Sequence, residues 1–200
     1  MNPASEPKSW YGRGYLPHYD DGSSHQFLTI RLADSIPLKV LDRWEAELKS
    51  QGDDGAIELR KRIEKFLDKG YGECHLKKRE IAVLVRDSLY FHHEKKYLLE
   101  SWVLMPNHAH LLLRQMPGIE LEEVTHSLKS YTALKANRIL GRSGEFWQAE
   151  TYDRFIRDAE HFNYVVRYIE RNPVKARLCR KPEDWEFGSA WNRNGLCRYS

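Results

Sequence analysis

Residues 102–113 read Trp-Val-Leu-Met-Pro-Asn-His-Ala-His-Leu-Leu-Leu. Two apolar runs separated by Pro106-Asn107 predict two strands joined by a tight turn. His108 and His110 stand two positions apart at the start of the second strand, so both imidazoles point to one face of the sheet. A pair held in this way can bind a metal ion. Two hydrogen-bonded structural histidines are the alternative interpretation.

The segments around this hairpin predict an α+β fold. Alternating residues from His25 to Leu32 indicate a first strand. Helical spacing of apolar residues predicts helices at 38–48, 57–67, 79–93, 119–139 and from 158 to about 172. The last helix is expected to end there because Pro173 disfavours a helical residue before it. We therefore expect a ferredoxin-like two-layer sandwich, in which an antiparallel sheet carries helices on one face, with a possible extra strand after Gln148.

The 200 residues, 41% of them apolar, suit a single core. We expect an N-terminal arm at 1–24, one domain at 25–180 and a basic, aromatic C-terminal tail at 181–200. The chain has no apolar segment typical of a signal peptide or a membrane span, so a cytoplasmic location is expected. Its three cysteines are far apart, which indicates neither a disulfide framework nor a cysteine zinc site.

A candidate partner for the histidines lies on the last predicted helix. Tyr168 and Asn172 are four residues apart and share one helix face. If this face packs over the hairpin, the Asn172 amide oxygen can be a third metal ligand and the Tyr168 hydroxyl can face the open metal positions. A tyrosine is ionised to about one part in a thousand at neutral pH, and a divalent cation could assist its attack on a phosphodiester. Such chemistry suits reversible strand transfer better than simple hydrolysis.

The net charge of +3 is small, but the region that follows residue 166 is locally basic. Arg171 and Lys175 in this region are candidate contacts to DNA phosphates, and Arg13 in the arm could also touch a ligand. A solvated helix face beside a small aromatic core is an equally good interpretation of the basic region. Trp147 is more typical of a core residue than of a platform for a base.

Several motifs in fixed order resemble the single-tyrosine HUH transposases of insertion sequences, and among them the REP-associated tyrosine transposases. These motifs are Met105-Pro106-Asn107-His108-Ala109-His110-Leu111-Leu112, Phe146-Trp147-Gln148, Asp153-Arg154-Phe155-Ile156-Arg157-Asp158 and Tyr168-Ile169-Glu170-Arg171-Asn172-Pro173-Val174-Lys175. The resemblance covers roughly residues 12 to 192. Two positions depart from the pattern, since many insertion-sequence members have glutamine in place of Asn172 and a larger apolar residue in place of Ala109.

The resemblance implies a ferredoxin-like nuclease that cuts single-stranded DNA at hairpin-forming palindromic repeats with Mg²⁺ or Mn²⁺. It implies that His108 and His110 bind the metal, that Tyr168 is the nucleophile and that Asn172 takes the place of the third ligand. It also favours DNA contacts by Arg154 and Arg157. The full set of predicted DNA contacts is Arg13, Arg154, Arg157, Arg171, Lys175 and Trp147. The expected partner is single-stranded DNA with palindromic hairpins, and no association with a membrane is expected. The protein is expected to be a monomer or a homodimer.

The expected function is therefore a metal-dependent, site-specific single-stranded DNA endonuclease and strand transferase with a covalent phosphotyrosine intermediate. A DNA-binding module that recognises palindromic repeats, with dispensable chemistry, is the first alternative. A zinc hydrolase with a water nucleophile is the second, and it would need a stronger third ligand than Asn172. Tyr131 is a rival nucleophile, but its i+4 neighbour is Lys135, which cannot bind a metal.

Overall fold

The computed structural model describes residues 10–13, 16–19 and 24–193. A four-stranded antiparallel sheet forms its centre. The strands are β3 (His25–Arg31), β4 (Tyr97–Leu104), β5 (His108–Gln115) and β6 (Tyr152–Phe155), in the order β4-β5-β3-β6. A separate antiparallel pair, β1 (Trp10–Arg13) and β2 (Leu16–Tyr19), lies within the predicted arm. The predicted α+β fold and its hairpin are confirmed, and β6 is the extra strand.

Among the described residues, five longer α-helices and one short α-helix accompany the sheet. They are α1 (Leu38–Leu48), α2 (Gly52–Leu67), α3 (Arg79–His92), α4 (Leu121–Leu140), α5 (Ala159–Lys175) and α6 (Ser189–Arg193). The Asp158 side chain accepts a hydrogen bond from the His161 N–H and caps the start of α5. Gly141 ends α4 with a φ of 63°, a left-handed conformation that glycine adopts without strain. These caps set the ends of the helices on either side of β6.

The two faces of the sheet are covered by different helices. The largest core cluster joins one face of β3, β4 and β5 to α3 and α4. A second cluster joins the opposite face, through Phe27, Val103 and Leu112, to Val165 and Ile169 of α5. The α1–α2 pair has its own small core, which includes Tyr152 of β6 at its margin. The sequence predicted helices on one face of the sheet. The helices α3 and α4 share one face, whereas the apolar stripe of α5 packs on the opposite face.

Two local predictions were wrong. Gly52 to Gly55 were expected to separate two helices, yet they form the first turn of α2. A Cβ at Gly55 would lie 2.3 Å from the Leu48 carbonyl oxygen, so the glycine allows the close corner between α1 and α2. Pro173 lies inside α5. Only the last turn follows it, and this turn closes because the Ala176 N–H donates to the Asn172 carbonyl at 2.9 Å.

The residues after position 180 contact the outer strand of the sheet. The Trp185 indole N–H donates to the Leu104 carbonyl at 3.0 Å, and the Ser101 and Ser189 hydroxyls lie 2.9 Å apart. Residues 185–189 therefore pack along β4, whereas the predicted domain boundary at 180 stays a prediction. In the part of the chain that the structure describes, no helix is long and apolar enough to cross a membrane.

Candidate metal and nucleophile site

His108 and His110 are fully buried on the face of β5 that α5 covers. Each ring is fixed through its Nδ1 atom. His108 Nδ1 lies 2.7 Å from Asn107 Oδ1, and His110 Nδ1 lies 2.9 Å from Thr29 Oγ1. The two Nε2 atoms face each other at 3.1 Å. Because the Asn107 oxygen can only accept, His108 carries its proton on Nδ1 and presents an Nε2 lone pair toward His110.

Burial keeps both imidazoles uncharged. Desolvation, with a smaller contribution from Lys175, lowers the pKa of His108 to about 3. Desolvation, His108 and Lys175 lower the pKa of His110 well below its usual value. Neutral imidazole is the form that binds metals, so the pair needs no acid-to-base change at neutral pH. For His110 to bind through Nε2, its proton would move from Nε2 to Nδ1, where the Thr29 hydroxyl can accept it.

Tyr168 and Asn172 approach the pair from α5. The ring centroid of Tyr168 lies 5.5 Å from that of His110 and 5.9 Å from that of Phe27. Asn172 is 1% exposed. The Tyr168 hydroxyl and both polar atoms of the Asn172 amide are buried without a hydrogen bond of ordinary geometry. A buried polar atom without a hydrogen-bond partner lowers the stability of the fold, and a bound ligand at this place would supply the missing partner.

These groups fit a divalent cation with open coordination positions. The two Nε2 atoms converge, their rings are held by Asn107 and Thr29, and the Asn172 oxygen is a free acceptor on the facing helix. Hydrogen bonds to the ring nitrogen that does not face the metal orient metal-ligating histidines in known sites. Within the described residues, no group of three His, Cys, Asp or Glu side chains could hold a metal ion. The Asn172 amide oxygen is the candidate third protein ligand.

The surroundings of Tyr168 oppose its ionisation. Burial raises the pKa of Tyr168 well above its usual value, the carboxylates of Glu64 and Asp68 raise it further, and Asn172 opposes these effects. The phenolate is therefore rarer here than in a free tyrosine. Any reaction at this oxygen requires both a nearby positive charge and a group that takes the proton.

Sequence comparison finds a family model that matches the segment carrying these residues. The model of the family described as "Transposase IS200 like" matches residues 78–172. We call residues 78–172 the IS200-like segment. It contains the histidine pair, Tyr168 and Asn172, and it confirms the family expected from the motifs. No curated protein matches the chain.

Two solved structures are similar to the chain. One is a REP-associated tyrosine transposase bound to a REP hairpin, with 17% identity over 90% of this chain and 81% of that chain and a TM-score of 0.47. The other is a putative transposase from Deinococcus radiodurans R1, with 16% identity over 81% of this chain and 96% of that chain and a TM-score of 0.33.

Four of the predicted DNA-contacting cations, on β6, on α5 and between these elements, are exposed. Lys175 pairs with Asp68 at 2.6 Å and lies 5.9 Å from the Tyr168 ring centroid. Arg154 and Arg171 are exposed. Arg157, also exposed, donates its backbone N–H to His161 Nδ1 at 3.2 Å. Arg13 lies in β1, and its side chain is outside the described residues.

Two candidates are placed away from the site. Trp147 was predicted as a DNA contact, but it is 6% exposed in the core beneath α4 and donates its indole N–H to Thr132 at 2.8 Å. We exclude it from the DNA surface for this reason. Tyr131 is half exposed on α4, on the other side of the sheet from His108 and His110. The structure therefore separates the rival tyrosine from the metal ligands.

Three residues of the site escaped the sequence analysis. Asn107 precedes the histidines directly, and its place in the turn was a signal that it could reach His108. Thr29 is brought opposite His110 by the β3–β5 register, which no local pattern reveals. Glu64 of α2 acts on Tyr168 from outside the IS200-like segment. Only the packing of α2 against the α5 side of the sheet could have identified it.

Proposed function

We propose that this protein is a metal-dependent single-stranded DNA endonuclease and strand transferase that acts through a covalent phosphotyrosine intermediate. One observation carries the proposal: the oriented Nε2 pair of His108 and His110 faces a helix that presents Tyr168 and an unpartnered Asn172. The match of the IS200-like family model to the segment that contains all four residues supports a transposase.

His108 Nε2, His110 Nε2 and Asn172 Oδ1 would hold the metal, for which we propose Mg²⁺ or Mn²⁺. A bound cation of this kind polarises a phosphodiester oxygen and neutralises the charge that develops on it. Asn107 and Thr29 keep the two imidazoles oriented, so no rearrangement of the rings is needed on binding. The apolar contacts of Phe27 and Ile169 limit the access of water to the same space.

Tyr168 is the proposed nucleophile. Its Oη forms a bond to the scissile phosphorus while the bond from phosphorus to one sugar oxygen breaks, which leaves a DNA hydroxyl and a phosphotyrosine. The phosphotyrosine retains the energy of the broken bond, so a later DNA hydroxyl can attack it and restore a phosphodiester. Reversibility of this kind distinguishes strand transfer from hydrolysis.

The proposed DNA is a single strand that carries palindromic hairpins. Arg154, Arg157, Arg171 and Lys175 are exposed cations on and beside α5, and they suit phosphates that lead into the site. Arg13 stays a predicted contact. We further propose a cytoplasmic protein that acts as a monomer or a homodimer.

The test uses an end-labelled hairpin-bearing single strand and Mn²⁺. We expect a protein–DNA adduct that survives denaturation, because the phosphotyrosine bond is covalent. Tyr168→Phe removes the nucleophilic oxygen and should abolish the adduct. Tyr131→Phe is the matched control and should form it normally. An adduct in Tyr168→Phe and none in Tyr131→Phe would refute the assignment, and hairpin binding by the wild type without any adduct would favour the DNA-binding module.

A further inference from the structure

One face of α2 carries Arg60, Glu64 and Asp68, which are spaced by four residues and so lie in a row along the helix. Both ends of this row are anchored. The Arg60 guanidinium lies 4.9 Å from the Tyr152 ring centroid on β6, and the Asp68 carboxylate pairs with Lys175 of α5 at 2.6 Å. Glu64 is one helical turn from each anchor, so it faces the space between β6 and α5.

Tyr168 lies at the α5 edge of this space, because Lys175, which pairs with Asp68, also lies 5.9 Å from the Tyr168 ring centroid. The two side chains act on each other, because the Tyr168 hydroxyl lowers the pKa of Glu64 as a hydrogen-bond donor and the Glu64 charge raises the pKa of Tyr168. Lys175 and Arg154 also face Glu64 and favour its charged form. The Tyr168 hydroxyl has no hydrogen bond of ordinary geometry to any described residue. The hydroxyl is therefore near the Glu64 carboxylate but is not held by it in a hydrogen bond of ordinary geometry.

The charges around Glu64 suit a proton acceptor. Burial and Asp68 raise its pKa, so the carboxylate is a stronger base than an exposed glutamate, while Lys175 and Arg154 keep it from being neutralised entirely. Two further ionisable groups lie on this side of Glu64. Its charge acts on Tyr152 of β6, whose ring lies under the Arg60 guanidinium of α2. The histidines cannot take this role once their Nε2 atoms bind a metal.

We propose that Glu64 is the general base that accepts the Tyr168 proton as the tyrosine attacks DNA. This inference rests on the function proposed above and adds a residue from outside the IS200-like segment. The Tyr168 O–H bond breaks, the proton moves to a Glu64 carboxylate oxygen, and the Oη–phosphorus bond forms. The bond to the leaving sugar oxygen breaks on the opposite side of phosphorus, so that oxygen takes its proton from water. In the rejoining step protonated Glu64 returns the proton to Tyr168.

The experiment measures the rate constant of adduct formation at saturating hairpin DNA and Mn²⁺, and separately the DNA affinity by fluorescence anisotropy. Glu64→Gln keeps the size and polarity of the side chain but cannot accept the proton. We expect the rate constant to fall about 10²-fold or more, which is the usual contribution of a general base, with unchanged DNA affinity. The release of the adduct by a DNA hydroxyl should slow as well.

Chemical rescue separates a base from a merely structural residue. Glu64→Ala opens a space for a small carboxylate, and added formate should restore adduct formation in this variant but not in Glu64→Gln. Glu58→Gln is the matched control, because Glu58 lies on the same helix and pairs with Arg62 at 3.3 Å, away from Tyr168. Its rate should equal that of the wild type.

A normal rate in Glu64→Gln, or a slow Glu64→Ala that formate does not restore, would overturn the role of Glu64. Either result would leave the proposed function intact as long as the wild type forms the Tyr168 adduct. Absence of the adduct in the wild type would instead overturn the proposed function, and the role of Glu64 with it.

Discussion

The two faces of the central sheet differ in whether the polar atoms of certain buried side chains have hydrogen-bond partners. On the side of α3 and α4, the buried aromatic polar groups are satisfied internally: the Tyr97 hydroxyl donates to the Leu89 carbonyl and the Trp147 indole to Thr132, both at 2.8 Å. On the side of α5, the Tyr168 hydroxyl and the Asn172 amide have no such partner. Both faces belong to the same four strands.

This difference shows where the fold is stabilised and where it is prepared for a ligand. Apolar burial on the α3–α4 side provides stability, and the polar atoms of its buried Tyr97 and Trp147 have partners within the protein. The α5 side retains unsatisfied groups and two buried imidazoles, which lowers stability in exchange for a preorganised site. Adjacent residues of one strand, His110 and Leu111, belong to the two different sides.

His110→Ala tests the α5 side and has the largest expected effect. Loss of one of two nitrogen ligands removes the metal, whose contribution to phosphoryl transfer is several kcal/mol, so adduct formation should fall about 10³-fold or more. The stabilisation of the wild type by Mn²⁺ in thermal denaturation should also disappear. Adduct formation at the wild-type rate would contradict the metal assignment.

Leu111→Ala tests the opposite side at the next position of the strand. Leu111 is 1% exposed, and its truncation leaves a cavity that should lower the free energy of unfolding by about 3 kcal/mol. Urea denaturation measures this loss. Adduct formation by the folded fraction should stay at the wild-type rate, because the side chain points away from the histidines. A stable variant with a slow reaction would show that the two sides are not independent.

Glu45→Gln has the smallest expected effect and examines the α1 region beside Arg31. Burial, with Glu150 and Asp42, raises the pKa of Glu45 to about 7. The unfolded chain therefore ionises first, and the free energy of unfolding should fall as the pH rises from about 4.5 to 7. Solvent screening of this partly exposed group limits the effect to about 1 kcal/mol or less. The variant should gain stability over the wild type at pH 8 but not at pH 4, as measured by urea denaturation, and an equal gain at both pH values would contradict this.

The strands and most helices could be predicted because their signals are local. Alternation identified β3, and Pro106-Asn107 identified the turn between β4 and β5. The end of α5 was predicted too early, because the preference of Pro173 alone does not include the apolar stripe that holds α5 on the sheet. Trp147 was included among the predicted DNA contacts but is buried in the core, because an aromatic side chain suits both a core and a DNA surface.

The sequence by itself determined that His108 and His110 share one strand face and that Tyr168 and Asn172 share one helix face, since the periods of strands and helices fix these relations locally. The tertiary structure alone decided that the two faces meet, that Thr29 stands opposite His110 and that Glu64 reaches Tyr168. These pairs are separated by tens of residues or more, and their contact depends on strand register and helix packing, which arise from the whole core and not from a local pattern.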